Sequence, residues 1–350
     1  MTLLETLVEL VDTPSETGNE GRLCTALAER LMRTHGQDAV RRINNSLVVG
    51  RRTDRPLVLL VGHIDTVPNQ GQGPAQVSEG RLVGLGASDM KAGVAVMVHL
   101  LEDSEVLLGP FDVVGIFYEA EEGRAADNGL EPVLQRVPWL SDADFAIVTE
   151  PTDLEIQVGC VGVVNASVEF QGTAAHSARP WLGENAVTKA GAWLAEMDSR
   201  EPEPVEVAGL TFYEIFSVTK AAGGVANNII PGSFTINLNH RFGPHRTVEE
   251  AEARVMEVAA AADSVVVADT APAAPVPELH PMLERLVEVS QAPLAAKQAW
   301  TDVARLAQYD VAAVNYGPGE TSQAHQVAES VAVDSLDAAY SALHRFLTQE

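Results

Sequence analysis

Basic residues are scarce in this chain. Its 350 residues hold 23 lysines and arginines against 49 aspartates and glutamates, a formal net charge of −26. Such an excess repels phosphate backbones and anionic lipid surfaces, so neither nucleic acid nor a membrane is expected as partner. Cysteine is almost absent: Cys24 and Cys160 lie far apart and outside any CxxC pattern. They read as buried thiols of a protein kept in a reducing cytoplasm. No apolar run approaches the length of a membrane span. The first twelve residues carry helical apolar spacing with interspersed acids and no basic leader, so no secretory signal is expected and the predicted location is cytoplasmic. Also missing are a GxGxxG spacing and a Walker lysine-serine pair, which disfavours a dinucleotide- or GTP-binding protein.

What is present points to two domains, since the length exceeds the ~250 to 300 residues at which a single core stops growing. Short apolar runs (57–61, 111–118, 145–148) alternate with helical patterns such as 93–102. That rhythm predicts an α/β domain with a mainly parallel central sheet. From 163 the order changes to strand (163–170), helix (185–197), strands (212–219 and 234–242), helix (248–261) and strand (264–268). This β-α-β-β-α-β order is ferredoxin-like and predicts an inserted α+β domain. The Ala/Pro-rich stretch 270–277 reads as a linker without an element of its own. The α/β rhythm then returns, with a helix at 282–290, a strand at 311–315 and a last helix at 334–347. The expected organisation is therefore 1–162 and 273–350 as one discontinuous domain, with 163–272 inserted.

Chemistry is suggested first by Gly62-His63-Ile64-Asp65-Thr66 at the end of an apolar strand. Residues two apart in a strand face the same way, so Asp65 can orient one ring nitrogen of His63 while the other binds a metal. Second comes the glycine-spaced loop 84–93, which presents Asp89 just before a helix, either as a ligand or as a helix-capping residue. Third is Glu119-Ala120-Glu121-Glu122-Gly123 directly after an apolar strand. Adjacent acids often form only a solvated turn, but functional residues of open α/β sheets collect at the carboxyl ends of strands. Glu150 and His325 follow two further strands. Together His63, Asp89, Glu122, Glu150 and His325 suit two zinc ions bridged by one carboxylate, and two metals ~3.5 to 4 Å apart can activate water and polarise a carbonyl. Glu121 is then left over as a general base.

The runs GHIDT, GLGASDMKAG, EAEEG, TEP, GTAAHSARPWLGENA and NYGPGETSQAH resemble, in order and spacing, the co-catalytic zinc amidohydrolase and metallopeptidase family of aminoacylases, acetylornithine deacetylases, glutamate carboxypeptidases and succinyl-diaminopimelate desuccinylases. Within it the desuccinylase group lies nearest, through EEGRAADNGL, VGCVG, HSARPWLGENAVTK and AWTDVARLAQYDVAAVNYGPG. The resemblance implies a zinc-peptidase-like catalytic domain with an inserted lid and dimerisation domain. It assigns His63 and Glu150 to one Zn2+, Glu122 and His325 to the other, and Asp89 to both, with Co2+ able to substitute. It makes Asp65 the orienting residue and Glu121 the base, and it implies a cis Asp89–Met90 peptide. His176 would stabilise the tetrahedral oxyanion from the partner subunit of a homodimer. Asn228 and Arg241, and less directly Arg179, match substrate contacts, Arg241 as a bidentate partner of a carboxylate.

The implied reaction is hydrolysis of N-succinyl-LL-2,6-diaminopimelate, a small N-acyl amino acid, to succinate and LL-2,6-diaminopimelate, a step of lysine and diaminopimelate biosynthesis. There are departures: the basic cluster of longer desuccinylases is replaced by Val158-Gly159-Cys160-Val161, and their Gly-Thr-Ser-Asp loop by Ala299-Trp300-Thr301-Asp302. The loop at Glu320-Thr321-Ser322 lacks the usual acidic-proline step. Rival readings are an N-acetylornithine deacetylase or dipeptidase of the same family, and a metal-binding regulatory protein without catalysis. The histidines His35, His99, His240, His245 and His280 show no ligand spacing and are read as structural.

Overall fold

The run Leu57–His63 is apolar without alternation, and every residue of it is buried. That is the mark of a strand covered on both faces in a parallel sheet. In the computed structural model of the chain, which describes residues 1–277 and 280–349, this strand lies inside an eight-stranded sheet. It pairs in parallel with Asp112–Tyr118 on one side and Phe145–Val148 on the other, and Ala313–Asn315 runs parallel to Phe145–Val148. The hairpin Val40–Ile43 and Ser46–Val49 adds to one edge antiparallel; on the other side Ile156–Val158 joins Ala313–Asn315 antiparallel, and Leu294–Ala296 forms the outer edge. The expected mainly parallel α/β sheet is thus present, with antiparallel strands confined to its flanks.

The chain divides into two compact units. The first comprises Met1–Val158, Pro277–Ala295 and Arg305–Glu350 and holds this sheet. Its helix Ala92–Glu102 is apolar nearly all round and buried, while Leu3–Val11 is started by a capping box between Thr2 and Glu5. Two glycines allow close approach at the end of the strand Phe145–Val148. A Cβ on Gly93 would lie 2.0 Å from the carbonyl oxygen of Thr149, and one on Gly317 would lie 2.4 Å from the same atom.

The second unit comprises Gly159–Val276 and Ala296–Ala304. This is wider at both ends than the expected 163–272 and takes in a segment beyond the insertion. Its antiparallel sheet runs Glu203–Val207, Leu210–Gly223, Ser233–Phe242, Gly162–Gln171, Ser264–Ala271. The last four strands have the ferredoxin-like order, and Glu203–Val207 is an extra edge strand. Helices Ala186–Lys189, Gly191–Asp198 and Val248–Val258 cover one face, with Phe170, Trp193, Ile236, Leu238 and Val255 in the core. The helix expected at 185–197 is therefore broken at Ala190. The linker expected at 270–277 is also corrected: Thr270 and Ala271 complete a strand, and Ala274 bridges to Cys160.

A candidate dinuclear metal centre

The four parallel strands end on the same side, and each hands the chain to a segment bearing a carboxylate or an imidazole. Leu57–His63 ends on His63 itself, with Asp65 two residues on. Asp112–Tyr118 leads into Glu121 and Glu122, Phe145–Val148 into Glu150, and Ala313–Asn315 into the loop that reaches His325. Asp89 enters from a kinked turn, Ala87–Lys91, and the Asp89–Met90 peptide is cis, as the resemblance implied.

These side chains converge. Ligand atoms of His63, Asp89 and Glu150 lie within 4.8 Å of one another, and so do those of Asp89, Glu122 and His325. A third group, His63, Glu121 and Glu122, meets the same limit. Asp89 is common to the first two. Its Oδ1 is 3.1 Å from His63 Nε2 and its Oδ2 is 3.7 Å from His325 Nε2. Asp89 does not occupy the cap position of the helix that follows, which is Lys91 and makes no side-chain cap bond. His63 Nε2 is 3.8 Å from Glu150, and His325 Nε2 is 2.9 Å from Glu122.

Asp65 is fully buried and ties the centre together. Its carboxylate accepts from the backbone N–H groups of Glu121 (3.0 Å) and Glu122 (3.1 Å) and from the Thr17 hydroxyl (2.9 Å). It also lies 3.4 Å from His63 Nδ1, although the closer contact of that nitrogen, 3.1 Å, is the Asp65 carbonyl oxygen. The backbone is strained where candidate ligands are presented. Ala120 and His325 adopt φ of 59° and 63°, a left-handed conformation that costs a non-glycine residue about 1 to 3 kcal/mol and is kept where the surroundings fix it.

The electrostatics favour cations. Burial opposes the charged form of His63, yet its bonds to Asp65 and Asp89 raise its pKa well above the ordinary value. Glu122 foremost, and then Asp89, push His325 up to about 9 against burial. Both imidazoles thus stand where positive charge is drawn in. A set of two imidazoles and three carboxylates, one of them shared, is the donor chemistry of a pair of borderline divalent cations.

Sequence reasoning missed Glu329. It is 2% exposed and accepts from the backbone N–H groups of Gly86, Ser88 and Asp89. Burial pushes its carboxyl up to about 7 despite those three bonds. Nothing in its local sequence sets it apart from an ordinary surface glutamate. Thr17 carries no distinguishing sequence signal either.

His176, Arg179, Asn228 and Arg241 belong to the second unit. The first three are neighbours there. His176 pairs with Ile229 across a two-residue ladder, the N–H of Ser177 donates to the Asn228 carbonyl, and that of Arg179 donates to the His176 carbonyl. The N–H of Ala178 donates to His176 Nδ1 at 3.1 Å, which fixes the ring hydrogen on the exposed Nε2. Arg241 stands on another strand, half-buried, its Nε donating to Asn239.

A model of the peptidase family M20/M25/M40 matches residues 59–349, which include every residue of the centre. The chain belongs to this family. As an M20/M25/M40 peptidase it is a hydrolase of amide bonds, with candidate metal-ligand groups at the sheet's carboxyl end. It is 38% identical to a putative succinyl-diaminopimelate desuccinylase of Mycobacterium tuberculosis over 98% of this chain and 97% of the relative. To the succinyl-diaminopimelate desuccinylase of Corynebacterium glutamicum it is 35% identical, over 97% and 94%. Among solved structures, a Staphylococcus aureus tripeptidase superposes with a TM-score of 0.80 at 20% identity, covering 99% of this chain and 97% of that one. A dinuclear metal-binding M20 peptidase of Bacillus subtilis gives 0.67 at 17%, covering 99% and 96%. At those identities the likeness speaks for the fold of this M20/M25/M40 peptidase.

Proposed function

We propose that this hydrolase cleaves N-succinyl-LL-2,6-diaminopimelate to succinate and LL-2,6-diaminopimelate, with two Zn2+ ions in the centre and Co2+ able to replace them. The observation that carries the reading is the pair of ligand groups sharing Asp89. The two full-length desuccinylase relatives supply the substrate. His63 and Glu150 hold one ion, Glu122 and His325 the other, and Asp89 both. When bound, such a pair activates water and polarises the scissile carbonyl.

The chain's own groups do the rest. Asp65 fixes the ring of His63 and, through the two amides it accepts, the backbone of Glu121 and Glu122. Glu121 takes the proton of the attacking water and returns it to the departing amine nitrogen, a base turned acid. His176, with its hydrogen on the exposed Nε2, is a suitable donor to the developing oxyanion. Asn228, Arg241 and Arg179 are assigned to substrate contacts, Arg241 to a carboxylate. The protein is read as a cytoplasmic homodimer formed through the second unit.

The test is hydrolysis of N-succinyl-LL-diaminopimelate beside N-acetylornithine and a dipeptide, with zinc and then with a chelator. Chelator-sensitive cleavage selective for the succinyl substrate is expected. Preference for another amide would overturn the substrate, and no cleavage by the metal-loaded protein would favour a silent metal-binding protein.

A further inference from the structure

We propose that Glu329 is a positioning residue of the metal centre, setting the Asp89 loop and the His325 segment in fixed relation so that both present their ligands to one cation. The inference rests on the dinuclear reading above. Oε1 of Glu329 accepts from the N–H groups of Ser88 (2.7 Å) and Asp89 (2.8 Å), and Oε2 from that of Gly86 (2.7 Å). The Glu329 carbonyl accepts a fourth bond from Gly84 N–H at 3.0 Å. Four backbone donors of the segment 84–89 thus converge on one residue.

That residue stands four positions after His325 and immediately before the strand Ser330–Ala332, which pairs antiparallel with Arg81–Val83. A turn bond from Glu329 N–H to the Gln326 carbonyl, 3.1 Å, carries the connection back toward His325. The arrangement spans two ligands of the Asp89, Glu122 and His325 group and one of the His63, Asp89 and Glu150 group.

A buried carboxyl group is costly unless donors meet its oxygens, and here three backbone amides do. Glutamine has the same shape but replaces one acceptor oxygen by an N–H2 donor. In Glu329→Gln one of the three amides therefore faces a donor, and the Asp89 loop is released on that side. Groups that orient metal ligands change affinity by about 10- to 100-fold when altered.

The experiment is stepwise Co2+ titration of the metal-free full-length protein by calorimetry, with the melting temperature of the metal-free form recorded in parallel. Wild type is expected to take two ions. Glu329→Gln should weaken the later step by about 10- to 100-fold and the earlier one less. Glu329→Asp keeps a carboxylate and should recover part of the loss; it also serves as the readable variant should Glu329→Gln not fold. A merely structural Glu329 would lower the melting temperature and leave both dissociation constants unchanged, which overturns the proposal. Failure of wild type to bind two ions overturns the dinuclear reading instead, so the two failures are distinguishable.

Discussion

Each of the two units buries carboxylates against histidines, and the two clusters have opposite electrical character. In the first unit, Asp65, Asp89, Glu121, Glu122 and Glu150 surround His63 and are joined by His325, and both imidazoles are pulled toward the charged form. In the second unit one carboxylate, Glu214, 2% exposed, is ringed by two guanidinium groups and two imidazoles. Arg246 lies at 2.9 Å, His240 and His245 at 3.5 Å, and Arg254 at 3.6 Å. There burial, assisted by the two arginines, pushes His240 down to about 4, against the pull of the Ile215 carbonyl and Glu214. Its ring is stacked on Phe216 with centroids 4.0 Å apart. Residue type therefore does not distinguish a cation site from a structural anchor. The balance of acids to bases does: in the first cluster five carboxylates face two imidazoles, with the Lys91 ammonium near Asp65, whereas in the second one carboxylate faces two guanidinium groups.

The sharpest way to break this contrast is to titrate the imidazoles of metal-free protein by NMR. His325 is expected to titrate at about 9 and His240 at about 4, and coincident curves near the ordinary value would remove the distinction. Next, Glu121→Gln should retain wild-type metal content while turnover falls about 10²- to 10⁴-fold. Near-normal turnover would refute its role as base. Glu214→Ala should leave metal content and turnover unchanged but lower unfolding stability by about 2 to 3 kcal/mol in urea. That is below the cost of breaking a fully buried pair because both guanidinium groups are about a quarter exposed. The smallest effect is on pH dependence. His240 has a folded pKa of about 4 against 6.5 when free, so between these values the unfolded chain binds a proton that the folded chain refuses. The contribution of His240 to stability is complete above 6.5 and is lost as the pH drops toward 4. The melting temperature should decline by about a few °C over that window, and less in His240→Gln.

The two clusters also differ in how far they could be read from sequence. The convergence of the candidate ligands His63, Glu122 and Glu150 is legible because continuous apolar strands deliver them, and the end of such a strand is a place where a polar residue needs a reason. The ferredoxin-like order was legible for a related reason, since its two central strands, Gly162–Gln171 and Ser233–Phe242, alternate buried with partly exposed residues. The edge strand Glu203–Val207 was not: it has no fully buried residue and reads Glu-Pro-Val-Glu-Val, so no apolar alternation marks it. Nor was the break at Ala190, where apolar spacing continues through the interruption. Glu214, Glu329 and Thr17 were invisible because their partners come from distant segments or from backbone amides, neither of which leaves a local pattern. His240 and His245 were read as structural, and both contact Glu214 within the same unit.

One asymmetry within the metal centre bears on how the protein responds to metal supply. The side chain of His63 is 1% exposed, whereas that of His325 is 55% exposed and hangs from a left-handed turn. With the ligands proposed for this centre, a cation on His63 would be enclosed, and one on His325 would be reachable from solvent and by competing chelators on the imidazole side. Exchange would then be ordered: an ion held by His325 would leave first and return last, and metal scarcity would select a singly loaded protein.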